Sequence, residues 1–311
     1  MKIINNIENI DFSIDSSVLT IGTFDGLHRG HEYLIRELSF LSKKLGNTSV
    51  LVTFMPNPYI VLNNIGPEDY HIISREKKYN IIQNLGIDIL LEVNFKESIA
   101  SMRAYDFLKK NIIEPFTPTD IMIGYDHHFG YKREGNASFL EKYQSEFNYK
   151  LHVAEAFSVD GETVSSSMIR KLIAEGNILT ANKYLGRNYN ISGLITSGEK
   201  IGREISFPTA NISLESIKQI IPMDGVYFIK AHVEDSIYHG MCNIGYNPTT
   251  NNHAEKTFEA HLFNYDKYDL YDKYIAIEFV DYIRSEKKFN NREDLKKQLE
   301  KDKEYCMSIL N

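Results

Sequence analysis

Residues 22–31 read Gly-Thr-Phe-Asp-Gly-Leu-His-Arg-Gly-His, directly after the apolar run Val18-Leu19-Thr20-Ile21 and before a helical pattern carried by Leu34, Ile35 and Leu38. A strand that runs into glycines and then into a helix brings backbone N–H groups to one point. The helix N-terminus adds unpaired donors and about half a positive charge there. This is an anion site, and phosphate is the anion it fits; His28 and His31 add side-chain donors. Histidines one turn apart could instead ligate a metal. Zinc sites use three or four side-chain ligands, however, and Cys242 and Cys306 both lie far off in sequence.

The 311 residues are enough for about two domains of ordinary size, each with its own core. From Val18 to about Tyr184, strand-like apolar runs alternate with helical patterns, which predicts an α/β domain with a parallel sheet. The expected strands cover 18–22, 49–54, 87–93, 120–124 and 151–154. One helix is expected after Ser74, with Glu76 in its first turn and Gly86 beyond its end. Another runs through Met102, Tyr105 and Leu108 and stops before Pro115 and Pro118. Ser165-Ser166-Ser167 ahead of Met168–Leu172, with Gly176 after it, predicts a capped helix.

Beyond Gly186 the texture changes. Short β-rich runs at 189–195, 225–232, 237–244, 257–263 and 274–282, separated by Gly, Pro, Asn and Asp, predict a small antiparallel barrel. Leu295 and Leu299 among charged residues predict a closing amphipathic helix over 291–309. The boundary falls near Leu185, giving domains 1–184 and 185–311. A net charge of −7 argues against a nucleic-acid-binding surface, and no apolar run approaches the roughly 20 residues of a membrane span. Two isolated cysteines suggest neither a disulfide framework nor a metal knuckle, so free thiols in the cytoplasm are expected.

The His-x-Gly-His stretch resembles the nucleotidyltransferase superfamily. The longer segment around it resembles the bifunctional riboflavin kinase and FMN adenylyltransferase family, also called prokaryotic FAD synthetase. Three further segments match in order: Phe54-Met55-Pro56-Asn57-Pro58, Gly124-Tyr125-Asp126-His127-His128-Phe129-Gly130 with Arg133, and Ser165-Ser166-Ser167-Met168-Ile169-Arg170. The resemblance implies a Rossmann-like nucleotidyltransferase domain in which FMN attacks the α-phosphorus of ATP. Gly22, Thr23, Phe24, Asp25, Ser166, Ser167 and Arg170 would bind ATP or its phosphates. His28 and His31 would stabilise the transition-state phosphates, and Pro56, Asn57, Pro58, Asp126 and Arg133 would receive the flavin.

The second half resembles the riboflavin kinase module. Gly198, Gly202 and Arg203 lead into Phe207-Pro208-Thr209-Ala210-Asn211, without the glycine-lysine-serine/threonine ending of a Walker loop. By that resemblance Gly198, Gly202 and Arg203 bind ATP phosphates, Thr209 and Asn211 hold Mg2+, Glu259 is the base for the ribityl hydroxyl, and Arg284 contacts flavin. The implied partners are ATP, riboflavin, FMN and FAD, with no nucleic acid and no membrane. Five positions depart from the family: His127 for Phe, Ser167 for Thr, Ser206 for Gly, Asn264 for Asp and Asp272 for Gly. His127 and Ser206 bear on whether both activities are retained. A flavin-binding regulator without turnover is the rival of another class; retained His28, His31, Thr209, Asn211 and Glu259 argue against it.

Overall fold

In the computed structural model, residues 1–5, 14–196, 207–248, 254–265, 271–289 and 291–310 are described. The chain forms two compact units, Met1–Gly66 with Arg75–Ser165, and Pro67–Ser74 with Ser166–Asn311.

The first unit is built on six strands, β1 (Lys2–Ile4), β2 (Ser17–Ile21), β3 (Thr48–Met55), β4 (Ile89–Asn94), β5 (Pro118–Gly124) and β6 (Lys150–Ala154). They pair in the order β1-β4-β3-β2-β5-β6, every pair parallel. All five residues of β2 are buried, as expected of a parallel strand covered on both faces. Helix α1 (Arg29–Leu45) turns Leu34, Ile35 and Leu38 inward, carries Glu32 in its first turn and Lys43 and Lys44 in its last, and ends at Gly46 with φ of 71°. Helices α2 (Pro58–Asn63) and α3 (Arg75–Asn84) follow β3. Between β4 and β5 come α4 (Glu97–Ala100), α5 (Ala104–Leu108), a π-helical turn (Lys109–Ile113) and α6 (Glu114–Phe116). Next, α7 (Ala137–Phe147) precedes β6, and a two-stranded ribbon, β7 (Ser158–Val159) and β8 (Glu162–Thr163), follows it.

The helix expected to stop ahead of Pro115 does not. Met102 lies outside it, and the helical path runs from Ala104 through the wide turn to Phe116 with Pro115 inside. Pro115 sits in the first turn of α6, where a missing N–H is tolerated. The path ends instead at Thr117, in the left-handed region with φ of 42°, and Pro118 opens β5.

The second unit begins with α8 (Ser166–Ala174) and α9 (Ile178–Leu185), so two helices from before the change of texture at Leu185 fall on its side of the division. A closed antiparallel barrel follows from β9 (Tyr189–Thr196), β10 (Ala210–Ile212), β11 (Gly225–Val233), β12 (Ser236–Pro248), β13 (Ala254–Leu262) and β14 (Tyr274–Arg284), in the order β10-β13-β12-β11-β14-β9. The sequence reading has no counterpart for β10. It is three residues long and follows the Pro208 corner, too short for an alternating pattern. Tyr189, Tyr227, Phe258 and Phe279 pack ring on ring inside the barrel.

Helix α10 (Arg292–Leu310) closes a second apolar layer, with Cys306 and Leu299 against Val226, Phe228, Met241 and Phe263. Asp302 on α10 accepts from Arg284 Nε at 3.1 and 3.0 Å and Nη2 at 2.8 Å, and from Gln298 at 2.8 Å. The two side chains are only 13% and 3% exposed, so removing one partner strands the other away from water. Asp302→Ala should destabilise the barrel by about 3 kcal/mol. The double change Arg284→Met with Asp302→Leu should cost clearly less, as measured by urea unfolding followed by circular dichroism. Equal losses in the two variants would mean that the pair is not desolvated.

Candidate functional site

Strand order in the first sheet reverses at β2, which has β3 on one side and β5 on the other. In an open parallel sheet, ligands bind outside the carboxyl ends of the strands at such a point. The three segments singled out in this domain leave those ends: residues 22–31 from β2, 56–58 from β3 and 124–133 from β5. One edge of one sheet thus gathers residues that lie more than a hundred positions apart in sequence.

The β2–α1 loop is tightly wound. Phe24, Gly26 and Leu27 all have positive φ, at 47°, 78° and 38°, a conformation that costs non-glycine residues energy and clusters at ligand sites. Phe24, Asp25 and Leu27 are buried beneath the loop. Of these expected nucleotide contacts, Phe24 and Asp25 are therefore buried, while Gly22 is half-buried and Thr23 exposed. A Cβ on Gly22 would lie 3.0 Å from the Phe24 ring, and one on Gly30 would lie 3.3 Å from the His28 ring, so both glycines permit close approach of a ring.

His28 is the N-cap of α1. Its Nδ1 accepts from the backbone N–H of His31 at 3.3 Å, so Nδ1 carries no proton and Nε2–H is the donor. The His31 ring stacks on it, with centroids 3.7 Å apart, and Phe24 meets His31 edge-on at 5.3 Å. Phe157, just before β7, packs beside Gly30, Arg29 and Tyr33.

Sequence reasoning missed Lys78 on α3. It is buried, and its Nζ donates to the Thr23 carbonyl at 2.7 Å and to Thr53 Oγ1 at 2.8 Å. Burial lowers its pKa to about 8, against the opposing pull of Asp25 and Glu92. Arg75-Glu76-Lys77-Lys78 reads as an ordinary charged first turn, so no sequence signal marks it.

In the β3 loop, Asn57 is buried and caps α2 through Oδ1, which accepts from Tyr59 N–H at 2.9 Å; Pro56 is exposed and Pro58 half-buried. In the β5 loop, Asp126 and Arg133 are exposed. Arg133 Nη2 lies 3.1 Å from His128 Nδ1, which is also 2.8 Å from the Asp126 carbonyl; that nitrogen can serve one partner at a time. His127 stacks against Phe129 at 5.7 Å, and burial pushes its pKa down to about 4, so it stays a neutral ring.

In the second unit, Ser166 begins α8 and Ser167 is exposed. The Arg170 guanidinium lies 3.6 Å over the Tyr70 ring and its Nε donates to the Tyr70 carbonyl at 2.9 Å, which fixes its plane. On the barrel, Asn211 of β10 and Asn243 of β12 both pair with Glu259 of β13. Directly opposed residues share a face, so the three form one row, with Cβ atoms about 5 Å apart. All three are half-exposed, while Phe258, Ala260, Ile212 and Ile244 on the other face are buried.

Thr209 is exposed beside this row. His261, also without a role in the sequence reading, is buried and held neutral by that burial; its Nδ1–H donates to the Pro208 carbonyl at 2.8 Å and its ring packs on Phe207. Glu286 accepts from Asn243 Nδ2 at 3.0 Å and from Tyr246 N–H at 3.3 Å. Arg284 is committed to Asp302 through Nε and Nη2 and to the Ser285 carbonyl through Nη1, so its site is first of all the anchor of α10. Gly198, Gly202, Arg203 and Ser206 lie outside the described residues.

A family model described as FAD synthetase matches residues 12–168, and one described as riboflavin kinase matches residues 185–310. Proteins named bifunctional riboflavin kinase/FMN adenylyltransferase are similar along the chain. That of Buchnera aphidicola subsp. Schizaphis graminum is 37% identical over 100% of this chain and 99% of its own. That of Bacillus subtilis is 35% identical over 93% and 90%, and that of Escherichia coli K12 30% identical over 97% and 96%. A crystal structure from Streptococcus pneumoniae described as a macrolide-efflux protein superposes with a TM-score of 0.87 at 29% identity, covering 98% of each chain.

His127 carries a stability consequence of its own. Its Nε2 is shielded without a hydrogen-bond partner among the described residues. An imidazole with a depressed pKa is neutral when folded but protonates when unfolded, so the folded state loses stability as pH falls from 6.5 toward 4. His127→Phe should remove that dependence and gain about 1 to 2 kcal/mol at neutral pH. Denaturation at pH 7.5 and 5 checks this; an unchanged difference between variant and parent at the two pH values would contradict it.

Proposed function

The chain belongs to the bifunctional riboflavin kinase/FMN adenylyltransferase family, and from that premise we propose which residues perform each of its two reactions. The protein is an enzyme of FAD biosynthesis: riboflavin and ATP give FMN and ADP, then FMN and ATP give FAD and pyrophosphate.

Adenylyl transfer belongs to the β2–α1 loop. The FMN phosphate attacks the α-phosphorus of ATP, and negative charge grows on its oxygens and on the departing pyrophosphate. Preorganised donors aimed at that charge are the main requirement. His28 Nε2–H and His31 supply them. The observation that carries this reading is the His28 cap: spending Nδ1 on the helix fixes the tautomer that makes Nε2 a donor at the sheet's switch point. Pro56, Asn57, Pro58, Asp126 and Arg133 receive the flavin, Asn57 through Nδ2 because Oδ1 caps α2. Ser166, Ser167 and Arg170 bind ATP phosphates.

Riboflavin phosphorylation belongs to the Asn211, Glu259 and Asn243 row. Glu259 accepts the proton of the ribityl hydroxyl as it attacks the γ-phosphorus. Thr209 and Asn211 offer a hydroxyl and an amide oxygen, the hard donors Mg2+ takes when phosphates fill its other positions. When bound, Mg2+ would supply charge neutralisation on the phosphates. Gly198, Gly202 and Arg203 bind the ATP phosphates, and Arg284 reaches the flavin only as far as its bond to Asp302 allows.

The substrates are ATP, riboflavin and FMN, and both reactions take place in the cytoplasm, where Cys242 and Cys306 remain free thiols. Among the described residues no helix is long and apolar enough to cross a membrane.

Chromatography of flavins formed by the full chain with ATP and Mg2+ tests the division. Glu259→Gln should lower FMN formation from riboflavin by about 100-fold or more while leaving FAD formation from supplied FMN intact. His28→Ala should do the reverse, by about 100-fold. Equal loss of both activities in either folded variant would contradict separate centres.

A further inference from the structure

We propose that Lys78 is a positioning residue for adenylyl transfer: its buried ammonium holds the Thr23 carbonyl and balances Asp25, keeping the Gly22–His31 loop in the form that meets nucleotide phosphates. The inference rests on the assignment of that loop to adenylyl transfer.

A lysine on the inner face of a helix is costly, because its charge leaves water; leucine or methionine would fill the same space without that cost. What Lys78 does that they could not is join three elements. Its two hydrogen bonds reach the β2–α1 loop at Thr23 and β3 at Thr53, and Thr53 Oγ1 in turn donates to the Thr23 carbonyl at 3.2 Å. With that carbonyl held, the start of the strongly wound segment from Phe24 to Leu27 is fixed in place.

Asp25 adds an electrostatic need. Buried directly under a phosphate-binding loop, its carboxylate opposes an incoming anion unless a cation lies nearby. Lys78 supplies it.

The charged and titratable groups facing Lys78 are Asp25 from the loop and Glu92 from β4. Glu92 is itself held by Arg75 and Tyr79 of α3. Tyr79 is pushed up to about 12, chiefly by burial, and does not titrate with Lys78. Burial brings Lys78 itself to about 8, so it is charged at neutral pH and loses that charge just above it. Adenylyl transfer should therefore show an alkaline limb in kcat/KM for ATP near pH 8, with activity falling as pH rises.

The test uses the full chain and measures FAD formation from FMN and ATP with Mg2+, beside FMN formation from riboflavin. Lys78→Met should lower kcat for FAD formation by about 100-fold, abolish the limb near pH 8 and leave riboflavin phosphorylation unchanged. Thr53→Val, which removes one acceptor of the ammonium without changing its own shape, should lower kcat by about 5-fold and move the limb to lower pH. Lys78→Met with parental kcat and an unchanged limb would overturn the proposal. If Lys78→Met does not fold, Thr53→Val decides, and parental kcat and limb in that variant overturn it equally. A parent chain that forms no FAD from FMN would instead overturn the assignment of the loop.

Discussion

A parallel sheet delivers every one of its strands' carboxyl ends to the same edge, and the centre proposed for adenylyl transfer depends on that geometric fact. Because β3, β2 and β5 are neighbours and run the same way, loops from residues 22–31, 56–58 and 124–133 meet at the point where the strand order reverses. The anion site itself needs one thing more, a helix that starts where β2 ends. In the proposed role His28 makes that start serve the chemistry, since the bond that caps α1 also decides which ring nitrogen carries a proton.

The centre proposed for riboflavin phosphorylation uses the opposite logic. An antiparallel barrel puts directly opposed residues of adjacent strands on a common face, so register alone brings Asn211, Glu259 and Asn243 into a row. The row needs a rigid corner beside it, and His261 provides one by donating to the Pro208 carbonyl from within the barrel wall. The helix that covers the neighbouring apolar face is fastened by Arg284 and Asp302.

The parts that sequence made legible are local ones. Strand–glycine–helix succession marked the loop after β2, short β-rich runs between Gly, Pro, Asn and Asp clusters marked five of the six barrel strands, and the charged tail with Leu295 and Leu299 marked α10. The parts it hid depend on distant partners. Nothing near Lys78 tells that its ammonium ends under Thr23, and nothing near Arg284 tells that Asp302 will claim it. Pro115 was read as a stop because a proline interrupts a regular α-helix; the wide π turn before it makes that rule inapplicable. Among the departures from the family pattern, Asn264 and Asp272 take positive φ of 57° and 60°, a region where Asn and Asp are the side chains best tolerated. Ser167 keeps a hydroxyl, and His127 is held neutral by burial, so it stacks on Phe129 as an uncharged ring.

The central claim is that one chain breaks ATP at two different phosphorus atoms in two different places. Following the label from ATP carrying 32P at either the α or the γ position, with riboflavin as the only flavin supplied, tests this most directly. γ-Label should enter FMN and be carried into FAD, whereas α-label should enter FAD and never FMN. α-Label in FMN, or flavins that remain unlabelled with both forms of ATP, would contradict the account.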